Sequence, residues 1–228
     1  ENGGAEKTID PETAKYIYDR CVAIGPKLDG KDWSWLCQQI NTLDELGYSD
    51  KRILPLIRKR FLERGVDQHH AAHLLHKNDP ENSQNLFAAR IRFSLDESQK
   101  IAAEDPEGRV LGGPYGDLHN LYWFLDKSDP RRKAFILEAT EHPQAYVRSR
   151  GYFMLREVPP EEALPFLRRG LGESKVNSRE YVSRWFAKYA GTRADLLLLR
   201  GHLEKEKNEE VRENLETAIK RLEALPAN

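Results

Sequence analysis

Long apolar runs are missing from this chain. No stretch of its 228 residues approaches the roughly 20 consecutive apolar side chains that a membrane-spanning helix requires, so no span is expected. An excess of either charge is missing too, since 36 basic and 37 acidic residues leave a formal net charge of -1. That balance argues against bulk attraction to nucleic acid or to an anionic membrane, while leaving room for a local patch. Cysteine is scarce: Cys21 and Cys37 stand without a Cys-x-x-Cys or Cys/His ligand spacing, so no structural zinc is expected. Placed level on the first two helices, they suit either two buried thiols acting as small hydrophobes or a disulfide formed in an oxidising compartment. Alternating β-branched runs are absent, which removes the signal for a sheet. Gly-x-Ser-x-Gly, His-Glu-x-x-His and a catalytic cysteine context are also lacking, so neither an enzyme nor a cofactor is expected. The chain opens on Glu1-Asn2-Gly3-Gly4 without an initiator Met. Leader removal and trimming both account for that, so cytoplasmic and exported locations stay open.

What is present reads as helix. With 39% of residues hydrophobic and 32% charged, there is enough apolar material for a core between thin helical layers. Residues 1–8 look like a disordered tail. Asp10-Pro11-Glu12 then supplies a cap residue followed by proline in the first turn. Tyr16, Ile17, Cys21 and Ile24 follow at helical spacing, and Gly25-Pro26 ends that helix. Trp33, Leu36, Cys37, Ile40 and Leu43 predict a second helix over 32–46. A third is expected from Ser49-Asp50 to Gly65, a fourth from Asp67 to Asn78 and a fifth over 82–94. Residues 96–116 interrupt the pattern, with a short helix over 97–104 and then Pro106, Pro114 and four glycines between Gly108 and Gly116. Helices resume at 117–127, 130–141, 143–157, 160–171, 178–190, 193–206 and 208–225.

A phrase recurs within these helices. Ile53-Leu54-Pro55-Leu56-Ile57-Arg58-Lys59 matches Ala163-Leu164-Pro165-Phe166-Leu167-Arg168-Arg169 position for position. Leu196-Leu197-Leu198-Leu199-Arg200 is a third copy and Leu86-Phe87-Ala88-Ala89-Arg90 a looser fourth. Arg58 and Arg90 are 32 residues apart, as are Arg168 and Arg200. A fixed period of this size marks stacked helical hairpins. A second register leads the pairs: Val147-Arg148, Ser178-Arg179 after 31 residues and Val211-Arg212 after 33 more.

Tyr146-Val147-Arg148, Glu162-Ala163-Leu164-Pro165-Phe166-Leu167 and Glu210-Val211-Arg212 resemble HEAT-like repeats of the short bacterial type. The likeness is good over 143–225, weaker over 32–95 and poor over 96–128. Tyr152, Phe153, Trp185 and Phe186 depart from it, standing where the family usually has alanine. The resemblance implies an all-α, right-handed solenoid of about five stacked hairpins. Its expected parts are hairpins over 9–95, an insertion loop over 96–116 and HEAT-like repeats over 117–228, in one continuous body. It also implies a non-catalytic scaffold binding a protein or peptide on its concave face. A nucleic-acid repair enzyme of the glycosylase type is the alternative within the same family, although nucleic acid is not an expected partner at this charge balance.

Three groups are candidates for function. Arg58, Arg90, Arg168 and Arg200 share one register of the second helices, with Glu138 as an acidic exception and Lys59, Arg60, Arg92 and Arg169 as flanking cations. They form either a basic stripe that receives an acidic segment of a partner or a structural ladder that ties helices to turns. His69, His73 and His76 fall within about 60° of one another on a helix, on a face expected to be solvated and at most a weak metal site. Around the glycine-rich segment, Tyr115 is the expected partner contact, and His119, Tyr122, Trp123 and Phe124 divide between core and contact. That segment lacks the Gly-Lys-Ser/Thr of a phosphate loop.

Overall fold

A computed structural model describes residues 9–63, 68–108 and 124–226. Among them are eleven α-helices and no strand. They are α1 (Pro11–Ile24), α2 (Gly30–Glu45), α3 (Leu54–Arg60), α4 (His69–Asn78) and α5 (Pro80–Ile101), followed by α6 (Pro130–Glu141), α7 (Ala145–Met154), α8 (Pro160–Gly170), α9 (Val176–Lys188), α10 (Leu196–Lys205) and α11 (Glu209–Glu223). None is long and apolar enough to cross a membrane. Two compact units emerge, one of Glu1–Glu97 with Leu111–Ser128, the other of Ser98–Val110 with Asp129–Asn228.

In the first unit α2 packs on α1 and α4, and α3 packs on α4. The stripe Trp33, Leu36, Cys37, Ile40 and Leu43 is buried as its spacing predicts. Helix α1 starts where expected: the Asp10 carboxylate accepts from the Glu12 and Thr13 amides at 3.2 and 2.8 Å, ahead of Pro11. Its inward face differs from the predicted one. Tyr16 is 66% exposed; Cys21 is buried as expected, and Ala14 and Tyr18 share its face instead of Tyr16. Tyr18 can be buried because its hydroxyl is satisfied, donating to the Asp50 carbonyl at 2.5 Å and accepting from the Ile53 amide at 3.1 Å. Burial pushes that phenol up to about 12. Cys21 and Cys37 are both buried and no disulfide joins them. Burial raises the Cys21 thiol.

Helix α5 is the main departure from the expected elements. It runs unbroken from Pro80 to Ile101, through the predicted gap after 94. Ser94 and Ser98 are fully buried beside Leu95, so polarity here marks close packing rather than a surface break. Residues 109–116, including Tyr115, lie outside the described residues, as do His119, Tyr122 and Trp123.

In the second unit α9 packs against α7, α8 and α11, α7 also meets α6 and α8, and α10 meets α11. Val182, Phe186, Val211, Leu215 and Leu222 fill the space between α9 and its neighbours. At the α6–α7 crossing a β-carbon on Gly151 would lie 2.6 Å from the Thr140 backbone nitrogen and 2.8 Å from the Ala139 carbonyl carbon. Only a residue without a side chain permits that approach.

Candidate functional site

Arg58 and Arg168, which hold the same place in the repeated phrase, do the same thing. Arg58 Nε donates to Asp79 Oδ2 at 2.5 Å, and Arg168 Nε donates to Asp195 Oδ1 at 2.6 Å. Each arginine lies in the last turn of its helix, where a cation suits the macrodipole. Each aspartate is buried in the turn ahead of the next helix. Asp195 also accepts from the Thr192 amide at 2.8 Å, in a capping box. Burial pushes both carboxyls up, yet the arginine and local donors outweigh it and hold them below the usual range.

The rest of the row diverges. Arg90 is buried, donating to the Glu63 carbonyl at 2.9 Å with its guanidinium 5.0 Å from the Phe93 ring centroid. Arg200 pairs with Glu223 at 2.5 Å and Arg169 with Glu141 at 3.0 Å, both on the surface. Lys59 and Glu138 are exposed. Arg60, read as a flanking cation, is instead buried: it donates to the Gly25 and Leu28 carbonyls and lies 4.6 Å over the Trp33 ring. Every arginine named as a partner contact therefore already has a protein acceptor.

Truncating Arg168 should reveal its role as a framework residue. Arg168→Ala leaves Asp195 buried with one cation fewer, and a loss of about 1–2 kcal/mol in thermal unfolding is expected. Unchanged stability would return the residue to the partner-binding reading.

A more regular ladder runs through the other register. Arg148 grips Glu173 through Nε and Nη2 at 2.7 and 2.9 Å, while its Nη1 donates to the His142 and Pro143 carbonyls at 2.9 and 2.8 Å. Arg179 repeats this with Glu206 at 2.6 and 3.1 Å and with the Glu173 and Ser174 carbonyls at 2.8 and 2.9 Å. Arg212 donates to the Leu203 and Glu206 carbonyls at 3.0 and 3.1 Å. The Arg179 guanidinium, with the Asn208 and Lys207 amides behind it, outweighs burial and holds Glu206 down at about 2. The 31- and 33-residue spacing of these arginines was legible, but the carbonyls they grip were not. An open hollow of about 300 Å³ beside this rung is lined by Leu171, Arg179, His202, Lys205 and Glu206. Burial, then Lys205, lowers His202.

The histidine face of α4 is not simply solvated. Phe124 stands edge-on to His73 at 4.7 Å between ring centroids, near His76 at 5.9 Å, and against Phe87 at 5.7 Å. His69 meets His73 edge-to-face at 4.7 Å. Desolvation, then the neighbouring imidazoles, lower His73. No group of three or more His, Cys, Asp or Glu among the described residues has the geometry to hold a metal ion.

The outward side of α7 and α9 carries four aromatics, of which the sequence pattern marks only Phe153 and Trp185, as departures from alanine. Phe153 and Tyr181 meet edge-to-face at 5.2 Å and 65°, and Trp185 and Tyr189 do so at 5.0 Å and 67°. Arg156 lies 4.2 Å from the Phe153 ring centroid. Tyr189 is 63% exposed.

Set against protein-family models, curated proteins and solved structures, the chain matches none of them.

Proposed function

We propose that the second unit is a run of HEAT-like hairpins in a right-handed α-solenoid, and that the protein is a non-catalytic scaffold for a protein or peptide partner. The recurring clamp at Arg148, Arg179 and Arg212 carries this reading. Each of these arginines fixes its own helix to the preceding turn, and Arg148 and Arg179 also hold a glutamate one hairpin further on. Such nearest-neighbour ties make a stiff array, and a stiff array keeps its outer side chains in place for a partner. The displaced carboxyls Asp79, Asp195 and Glu206 fit the same picture, because arginines and cap donors account for them as parts of a framework. On this reading Arg58 and Arg168 belong to the framework.

Display selection with random peptides on the immobilised 228-residue chain, followed by calorimetric titration of an enriched peptide, tests the scaffold role. A saturable one-to-one complex of micromolar or tighter affinity is expected, on the order of −8 kcal/mol. A selection that enriches nothing, or release of damaged bases from an alkylated duplex, would overturn the proposal.

A further inference from the structure

The aromatic side of α7 and α9 is an interaction surface of a particular kind. Tyr181, Trp185 and Lys188 lie within about 60° of one another around α9, so they form one ridge rather than scattered exposures. Arg184 stands on the same ridge, paired with Glu210 at 2.5 Å, and Phe153 on α7 extends it by its contact with Tyr181. Tyr189 closes the far end against Trp185. None of these side chains is fully buried, and Lys188 and Tyr189 are exposed. Large rings are the side chains most often found to anchor interfaces, because they bring contact area at small loss of conformational freedom.

The ring geometry chooses among ligands. Successive nucleotide bases stack on flat faces that lie roughly parallel. Here both pairs are tilted at 65° and 67°, so each presents a V-shaped notch between a face and an edge. A pyrrolidine ring fits such a notch, and a polyproline II segment brings prolines to it without first having to be ordered. The charge leans positive. Arg156 and Lys188 flank the rings against Glu180 on α9, while Arg184 is already paired with Glu210. A net charge of -1 for the whole chain gives no supporting field for a polyanion, so a short acidic segment is favoured over a nucleic acid strand.

We infer that the α7–α9 surface, centred on Trp185 and Tyr189, binds an extended proline-containing peptide with acidic flanks. The inference rests on the scaffold reading and gives it a place and a ligand class.

Fluorescence anisotropy with a labelled Glu-Pro-Pro repeat peptide provides the test. Saturable binding is expected, weakened about tenfold or more by Trp185→Ala and by Tyr189→Ala. It should also weaken with Lys188→Glu and with added salt. Trp35→Ala, an exposed tryptophan of the other unit, should change nothing. Because Tyr189 is 63% exposed, its variant keeps the test valid even if Trp185→Ala fails to fold. Equal affinity for a Lys-Pro-Pro peptide, tighter binding of an oligo(dT) strand, no binding, or indifference to Tyr189→Ala would each overturn the inference. If peptides from the display selection bind the Tyr189→Ala chain as well as the parent, this surface is wrong while the scaffold reading stands. A selection that enriches nothing removes the scaffold reading itself.

Discussion

Gly151→Ala should lower stability by about 2–3 kcal/mol, a fall of about 5–10 °C in Tm for a chain of this size. Helix propensity alone points the other way, since replacing glycine by alanine in a helix interior is worth up to about 1 kcal/mol of added stability. The sign is set by what the new methyl meets. At Gly151 it meets the Thr140 nitrogen at 2.6 Å and the Ala139 carbonyl carbon at 2.8 Å, both backbone atoms of α6 that move only with the helix. Gly201 supplies the control, because a β-carbon there has nothing within 4 Å. Gly201→Ala in α10 should therefore raise Tm. Thermal unfolding followed by circular dichroism at 222 nm reads both. If the two variants shift in the same direction, α6 and α7 do not cross as closely as described.

Arg179→Ala should lose about 3 kcal/mol, close to the largest effect available from a single surface-reaching cation here. Its side chain is 18% exposed and that of Glu206 only 7%, and truncation releases two turn carbonyls as well as the carboxylate. Arg184→Ala, five residues on, breaks a pair whose partners are 48% and 51% exposed, and should change stability by less than about 0.5 kcal/mol. Acid titration separates the two further. Glu206 is held at about 2, against an ordinary value of 4.5. Its contribution is complete above 4.5 and disappears as pH falls towards 2, because the unfolded chain takes up the proton first. After screening this amounts to about 1–2 kcal/mol. The parent should lose stability more steeply than Arg179→Ala between those limits. Parallel acid profiles would mean that the Arg179–Glu206 pair does not form.

Parts of this were open to reading in advance because they depend on period alone. The α2 stripe from Trp33 to Leu43 repeats at threes and fours, and no competing pattern exists in that stretch. Tyr16 and Tyr18 were harder, since both fit α1; the choice depends on the Asp50 carbonyl 32 residues away, to which only Tyr18 can donate. Helix α5 is expected to end at 94 but runs to Ile101, and Ser94, Glu97 and Ser98 across that stretch are all buried. The arginine rows show both outcomes. Arg58 and Arg168 stand at the same place in matching phrases, yet their aspartates follow at 21 and 27 residues, so no fixed spacing announces the pair. Nor does any pattern in the sequence bring Phe124 over the α4 histidines, since that contact is made from a segment about fifty residues downstream.

The Arg148–Glu173–Arg179–Glu206–Arg212 series has a genetic corollary. Glu173 offers its carboxylate to one arginine and its main-chain carbonyl to the next, and Glu206 does the same. Copying one in-frame segment of 31 residues, the interval from Arg148 to Arg179, adds one donor and one acceptor in the same arrangement. Excising it removes one of each. Duplication leaves the flanking arginines with glutamates of the same kind, whereas excision also removes Glu157 and Arg168, the partners of buried Arg132 and Asp195, so on the proposed solenoid reading growth is tolerated better than loss. On that reading, selection can act on the outer rings of a duplicated segment from its first generation, because the arginine–glutamate connections arrive already made.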